Sequence, residues 1–520
     1  MTKKFLMVLA AFLCFALLPV TAWASQVDIT NLSTVGEIKE KIEDAIKDLG
    51  DGGTVIVTGE KNDAGETLEL RIPANVTVEW RADYSGSYDQ GTRRLIELLN
   101  GDNDSGVGIF ELRGTVENRA GNAIYLTKDE EDPDPDTEIF FHEGDFDQDK
   151  NDEKTAPEVA NTDLVTVKVI GGKVRAAAEA PNPTGTLYGI LFYGNGRLTM
   201  ENGTVEAKGN NEYISAIGML RGKAEIINST VTANGLTIDD NEPRLIYAIY
   251  VTYRHEDNDI NVTGGKISSA SVIGRNSAIR FSNGKLTLTD SIVEAKSNSM
   301  RKGDIANAIF IRTAGTVAVR GNSRVSAFNE QDEVIAAYGI YAQATGKVAV
   351  TGGLVEAVSK QKTEPIDPPA NVSAIFIDNP PPGVAAYLKG ACVGELTVSN
   401  PTGAMIVEVD TPVIPPSRHG TSEGLTVNKP DPQNPGETAV WDTTGNIPKI
   451  VFTLETLDEK VELEWGVKAA DPINPSDPEI PGNPSDGCGN TGAGTIYAGL
   501  FIALLYALDR RFNAARCRRK

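Results

Sequence analysis

Leu198-Thr199-Met200-Glu201-Asn202-Gly203-Thr204-Val205-Glu206-Ala207 holds two short strands and the corner between them. Leu198 and Met200 alternate with polar neighbours, and so do Val205 and Ala207, so each pair lies on one face of an extended chain. Gly203 lets the chain change direction between them. A loop follows, and then Ala216-Ile217 opens a third apolar stretch.

This unit recurs in seven copies from about Asp163 to Asp378. The first strand appears as Val167-x-Val169, Leu198-x-Met200, Ala224-x-Ile226, Ile260-x-Val262, Leu286-x-Leu288, Val317-x-Val319 and Val348-x-Val350. The second is Val174-x-Ala176, Val205-x-Ala207, Val231-x-Ala233, Ile267-x-Ser269, Val293-x-Ala295, Val325-x-Ala327 and Val355-x-Ala357. The third carries Ile190, Ile217, Ile249, Ile279, Ile309, Ile340 and Ile375, each after Gly or Ala. First and second strands keep an offset of five residues in six copies and six in the copy holding Arg324, so the turn between them is fixed. A single coil can neither pair its strand edges nor cover its apolar face, and stacking at about 4.8 Å does both. Successive copies lie 26 to 36 residues apart, too few for a four-stranded propeller blade. The pattern predicts a parallel β-helix, with a β-sandwich of hairpins as the alternative, because alternation alone does not separate parallel from antiparallel neighbours.

Towards the amino terminus, Ile38, Ile42, Ala45, Ile46 and Leu49 share one face of a helix that stops at Gly50. Gly53-Thr54-Val55-Ile56-Val57 and Leu68-Glu69-Leu70-Arg71-Ile72-Pro73 through Val76-Thr77-Val78 then give early coils, and the helix is expected to cap the open end. This opening resembles the pectate-lyase-like β-helix superfamily, where an amphipathic helix leads into a Gly-Gly-Thr-Val strand and an Ile-Pro-x-x-Val-Thr-Val coil. The resemblance implies a right-handed parallel β-helix and says almost nothing about activity. After Pro382 the rhythm breaks into strands near Glu395–Val398, Met405–Val409, Lys449–Phe452 and Val461–Trp465, expected to form a β cap or module.

Both termini carry export and membrane signals. Lys3 and Lys4 precede an apolar run to Val20 and then Ala22-Trp23-Ala24, a secretory signal with its cut between Ala24 and Ser25. At the far end a Pro/Asn/Asp-rich spacer leads to Gly487-Cys488-Gly489, an apolar segment 492–508 and a terminal cluster of Arg and Lys. Seventeen helical residues span roughly 26 Å, enough for the hydrocarbon layer, and the basic end stays cytoplasmic. This ending resembles the sorting signals of bacterial surface proteins, the Synerg-CTERM type with MYXO-CTERM signals as relatives. The resemblance implies processing by an envelope protease near Gly487 and Cys488, and lipid could be accepted at Cys488. A permanent single-span anchor is the alternative.

The chain plan is therefore 1–24 signal peptide, 25–380 β-helix with its cap, 381–470 C-terminal β module, 471–487 spacer and 488–520 sorting and transmembrane segment. The fold class is all-β, a right-handed parallel β-helix with an N-terminal capping helix and one C-terminal transmembrane helix.

A formal charge of −23, about −30 for the displayed body, repels nucleic acid, so no nucleic-acid partner is expected. Cys392 and Cys488 are the cysteines outside the signal and the basic tail, which gives no disulfide framework. Loops after the second strand vary most in length: Ala180–Pro183, Asp239–Glu242, Asn329–Glu333 and Lys360–Lys362. They should crowd one edge and form the contact surface. A catalytic version would use Asp239, Asp240 and Glu242 with Arg244, Tyr253, Arg254 and His255, because glycosidases need two carboxylates and lyases a base beside a cation. No paired-Asp motif recurs on adjacent coils, so no catalytic residue is assigned. Asp145–Asn151 has the alternate-oxygen spacing of a calcium loop but lacks its sixth-position Gly and distal Glu, and reads as a solvated insertion. His142, His255 and His419 are too scattered for zinc, and no metal or cofactor is expected. The expected role is surface interaction, adhesin-like or glycan-contacting. A polysaccharide lyase or glycosidase and a structural surface component are the alternatives.

Overall fold

The structure, a computed structural model, describes residues 24–50, 52–87, 94–101, 107–127, 163–178, 185–236, 245–252, 257–299, 304–313, 315–329, 336–343, 347–350, 353–359 and 372–378, and separate strands between 385 and 464. The chain divides into two compact units, Met1–Ala469 and Ala470–Lys520. All described residues belong to the first. The signal segment 1–23, the spacer, Gly487, Cys488 and the apolar segment 492–508 lie outside the described residues. No helix among the described residues is long and apolar enough to cross a membrane.

One coil shows the plan. Asp259–Thr263, Lys266–Ser271 and Arg275–Phe281 are three successive strands, and each pairs in parallel with its counterpart in the next coil, Gly284–Thr289, Ile292–Ser297 and Ile305–Ile311. Repetition builds three parallel ladders in a solenoid-like stack. The first runs from Ala24–Asp28 to Gly403–Val409, the second from Glu60–Ala64 to Ala391–Val393 and the third from Leu68–Ile72 to Glu395–Ser399. Two long strands, Thr186–Glu201 and Tyr213–Ile227, serve the third ladder with their first halves and the first ladder with their second. Parallel pairing thus continues past residue 380. It gives way to antiparallel pairing where Val461–Glu464 meets Glu395–Ser399 and Lys449–Leu454 meets Gly403–Val409.

The aliphatic residues of the repeat stand in vertical files. Val174, Val205, Val231, Ile267, Val293, Val325 and Val355 are consecutive partners in the second ladder, with Ala176, Ala207, Ala233, Ser269, Ala295, Ala327 and Ala357 beside them. Ile190, Ile217, Ile249, Ile279, Ile309, Ile340 and Ile375 do the same in the third. These residues are buried, and burying each Val or Ile stabilises the fold by about 1.5–3 kcal/mol. Stacked neighbours on the hairpin plan would have been antiparallel, so the sandwich alternative fails on the pairing.

The corner between first and second ladders explains its own composition. Its leading residue adopts left-handed backbone at Gly171 (φ 66°), Asn202 (52°), Asn228 (48°), Gly264 (65°), Asp290 (51°) and Gly321 (62°), and Gly, Asn and Asp tolerate that region best. The next residue is glycine at Gly172 and Gly203, where a β-carbon would lie 2.6 Å from the Leu112 carbonyl oxygen and 2.9 Å from that of Val169 respectively. In other copies serine stands at this corner, at 229 and 291, and at 323 after the extra residue Asn322. Ser229 Oγ donates to the Ile227 carbonyl at 2.7 Å and accepts the Gly203 amide at 3.1 Å, while Ser323 Oγ donates to Arg320 and accepts the Ser291 amide.

The helix spans Val35–Asp48. Thr34 accepts the Glu37 amide at 3.1 Å while Glu37 Oε2 accepts the Thr34 amide at 3.2 Å, a capping box, and Gly50 follows in left-handed backbone. Its Val35, Ile38, Ile42, Ala45 and Ile46 are buried with the strands. It packs on Leu68–Ile72, the first strand of the third ladder, and Lys39 reaches Glu69 at 2.9 Å.

Candidate functional site

The outward side chains of the three ladders differ in kind. On the first ladder, Arg113 sits between Glu79 (3.0 Å) and Glu111 (2.6 Å). On the second, Arg175 bridges Glu117 (3.0 Å) and Glu206 (3.6 Å), and Glu294 lies between Lys266 (2.7 Å) and Lys296 (2.8 Å). Burial raises the Glu294 pKa, but the hydrogen bonds from the two lysines outweigh it and hold the carboxyl below its usual range. Each of these three clusters joins opposite charges from neighbouring coils.

The third ladder is otherwise. Its strands bend so that the small residue and the Ile after it both face the core, as Ala248 and Ile249 do. The residues on either side of that pair, Tyr247 and Tyr250, therefore both point outward and join a separate cluster. Two outer rows result. One reads Tyr188, Ser215, Tyr247, Ser277, Asn307, Tyr338, and the other Tyr125, Leu191, Gly218, Tyr250, Arg280, Phe310, Tyr341, Phe376. In the earlier coils the second row continues from Tyr125 to Glu97 and Glu69, with Arg94 over the Tyr125 ring and paired with Glu97. From Tyr125 and Tyr188 onward the named positions hold no carboxylate and one cation, Arg280. Tyr125, Tyr188, Tyr193, Tyr213, Tyr247, Tyr250, Tyr338 and Tyr341, eight of the chain's 14 tyrosines, lie on this face.

The rings are in contact along the stack. Tyr247 and Tyr250 stack with centroids 4.9 Å apart, Tyr213 touches both at 5.5 Å, and Tyr188 meets Tyr213 at 5.7 Å. Gly218 is a glycine because a β-carbon there would press into the Tyr188 ring at 2.7 Å. Arg280 lies between coils of rings, its guanidinium 5.2 Å from Tyr247, 5.4 Å from Tyr250 and 5.0 Å from Phe310, and it donates a hydrogen bond to the Tyr247 hydroxyl. Phe310 then stacks on Tyr341 at 5.1 Å, and Tyr341 meets Phe376 edge-on at 5.2 Å. From Tyr125 to Arg280 these side chains are buried. Phe310, Tyr341 and Phe376 are half-exposed. Burial pushes the Tyr188 and Tyr213 hydroxyls well above the ordinary tyrosine range, and neighbouring Tyr250 pushes them the same way.

Ala24 and Ser25 lie in the first strand, opposite Thr54 and Val55, with Ala24 exposed. The loops at 180–183, 239–242, 330–333 and 360–362, the candidates Asp239, Asp240, Glu242, Arg244, Tyr253, Arg254 and His255, and the 129–153 insertion lie outside the described residues. Each of those four loops nevertheless joins a second-ladder strand to the next third-ladder strand, so all of them enter the aromatic ladder along the same edge. Among the described residues no group of three or more His, Cys, Asp or Glu is placed to hold a metal. The aromatic rows are what sequence reasoning missed. Their signal was an aromatic two residues before or one after the third-strand Ile.

The fold and this face together define a mostly β, parallel, solenoid-like protein with an aromatic stripe along one ladder. No family model, no curated protein and no solved structure matches the chain.

Proposed function

We propose that this chain is an exported bacterial envelope protein, a right-handed parallel β-helix of the pectate-lyase-like superfamily, whose third-ladder face makes adhesin-like contact with glycan or another surface ligand. Half-exposed aromatic rings are the chemistry of contact surfaces: Phe310, Tyr341 and Phe376 supply large rigid area at low entropic cost, over a buried bed of tyrosine, serine and asparagine. The observation that carries the reading is the row of half-exposed rings Phe310, Tyr341 and Phe376 on the third ladder, the ladder into which the loops at 180–183, 239–242, 330–333 and 360–362 lead.

In this reading the helix Val35–Asp48 caps the solenoid and the strands beyond 380 form its closing module. The segment 492–508 crosses the membrane with the basic tail inside. An envelope sorting protease or lipidation enzyme then acts at Gly487 and Cys488, after signal peptidase has cut between Ala24 and Ser25. Intact-mass measurement of protein recovered from cells should show loss of both ends.

The contact reading is tested by a glycan array probed with the full chain and with a Tyr341→Ala/Phe376→Ala variant. Binding that the variant loses is the expected result. Binding by neither, or equal binding by both, would sink it. Release of reducing ends or unsaturated products from a polysaccharide, abolished by Asp240→Ala or His255→Ala, would replace it with a lyase or glycosidase.

A further inference from the structure

Resting on that contact reading, we infer that the half-exposed rings Phe310, Tyr341 and Phe376 take an uncharged glycan, laid across the coils along the solenoid axis. Charge decides the ligand class. The chain carries a formal −23, a field that repels polyanions, and the two outer rows hold no exposed cation to offset it. Arg280, the one cation in them, is 4 % exposed and spent on Tyr247, Tyr250 and Phe310. Arg312, on the flank, is already engaged within the chain. Among the described residues of the two rows, a uronate or sulfated polymer would find no exposed cation to meet its charges.

Ring geometry decides the mode. Phe310 and Tyr341 stack face to face, interplanar angle 22°, so each hides a face against the other and turns its edge outward. Ring edges carry the positive part of the aromatic quadrupole and attract partially negative oxygens, and sugar hydroxyls supply these without a net charge. Successive rings stand 5.1 and 5.2 Å apart from coil to coil, so an occupant touching all three must run along the stack and not around it.

The test is calorimetric titration of the full chain with cellohexaose, xylohexaose and hexagalacturonate at low and high salt. A neutral hexamer should bind with an affinity that salt leaves unchanged, while hexagalacturonate should not bind. Tyr341→Ala and Phe376→Ala should each weaken binding about tenfold, and Tyr341→Phe, which keeps the ring, much less. Charge preference and salt dependence are read on the unsubstituted chain, so a variant that fails to fold does not blunt the test. Tighter binding of hexagalacturonate, weakening with salt and lost in Tyr341→Ala, would overturn the uncharged class and leave the contact face standing. Neutral binding indifferent to both alanine substitutions in folded variants would overturn the site. Binding of none of the three probes would overturn this inference, and the array would then decide whether the contact reading falls with it.

Discussion

Asn202, Asn228 and Asp290 hold backbone that β-branched residues resist, and each does so at the same corner of its coil. The cost of the wrong residue there is local and calculable. Asn228→Val should destabilise by about 1–2 kcal/mol, whereas Asn228→Gly should stay within about 0.5 kcal/mol of the parent. Urea midpoints at constant slope would read both. Tyr188 and Tyr213 make a second prediction. Their folded pKa values are raised, so the neutral hydroxyl is the form the fold prefers, and the stability it contributes is complete below the ordinary tyrosine pKa of about 10 and is lost as pH rises beyond it. An alkaline titration should show these two ionising only together with loss of β-sheet circular dichroism. Tyrosinate absorbance that rises in an intact fold and is missing from the Tyr188→Phe and Tyr213→Phe variants would refute the burial.

The helix Val35–Asp48 ends in solvent-facing Glu, Asp and Lys on one side and buried aliphatics on the other. Thr34→Ala removes the acceptor of its first turn and should lower stability by about 1 kcal/mol, measured by chemical denaturation of the full chain. This helix and the strand repeat were legible in sequence for the same reason: Ile38, Ile42 and Ile46 keep helical spacing, and Val-x-Ala keeps period two after a turn of one length in six of seven copies. The aromatic rows were not. Tyr247 and Tyr250 are three residues apart yet share the outer face, because Ala248 and Ile249 both turn inward at the bend. Period-two alternation places one of the two in the core, so it yields the third strand's existence and loses its outward face. The acids and bases at 239–255 were legible only as a composition, since no repeat fixes the spacing of residues in those loops.

A stack in which each coil touches only its neighbours gains stability as a sum of similar layers and interfaces. Excising residues 204–229 joins two equivalent corner positions and removes one whole coil, bringing Val231 over Val174. The shortened chain should still fold in parallel β-sheet, with a smaller denaturant slope because less surface is exposed on unfolding. Removing 204–217 would leave the third and first ladders out of step, and that chain should lose its β-sheet circular dichroism. Because one corner geometry serves every storey, the molecule has a natural unit of height, about 4.8 Å. Duplication or loss of whole storeys below Ile305 would carry the Phe310–Phe376 stripe up or down in that unit while leaving its own neighbours untouched, so the height of the stripe can vary independently of its ring geometry.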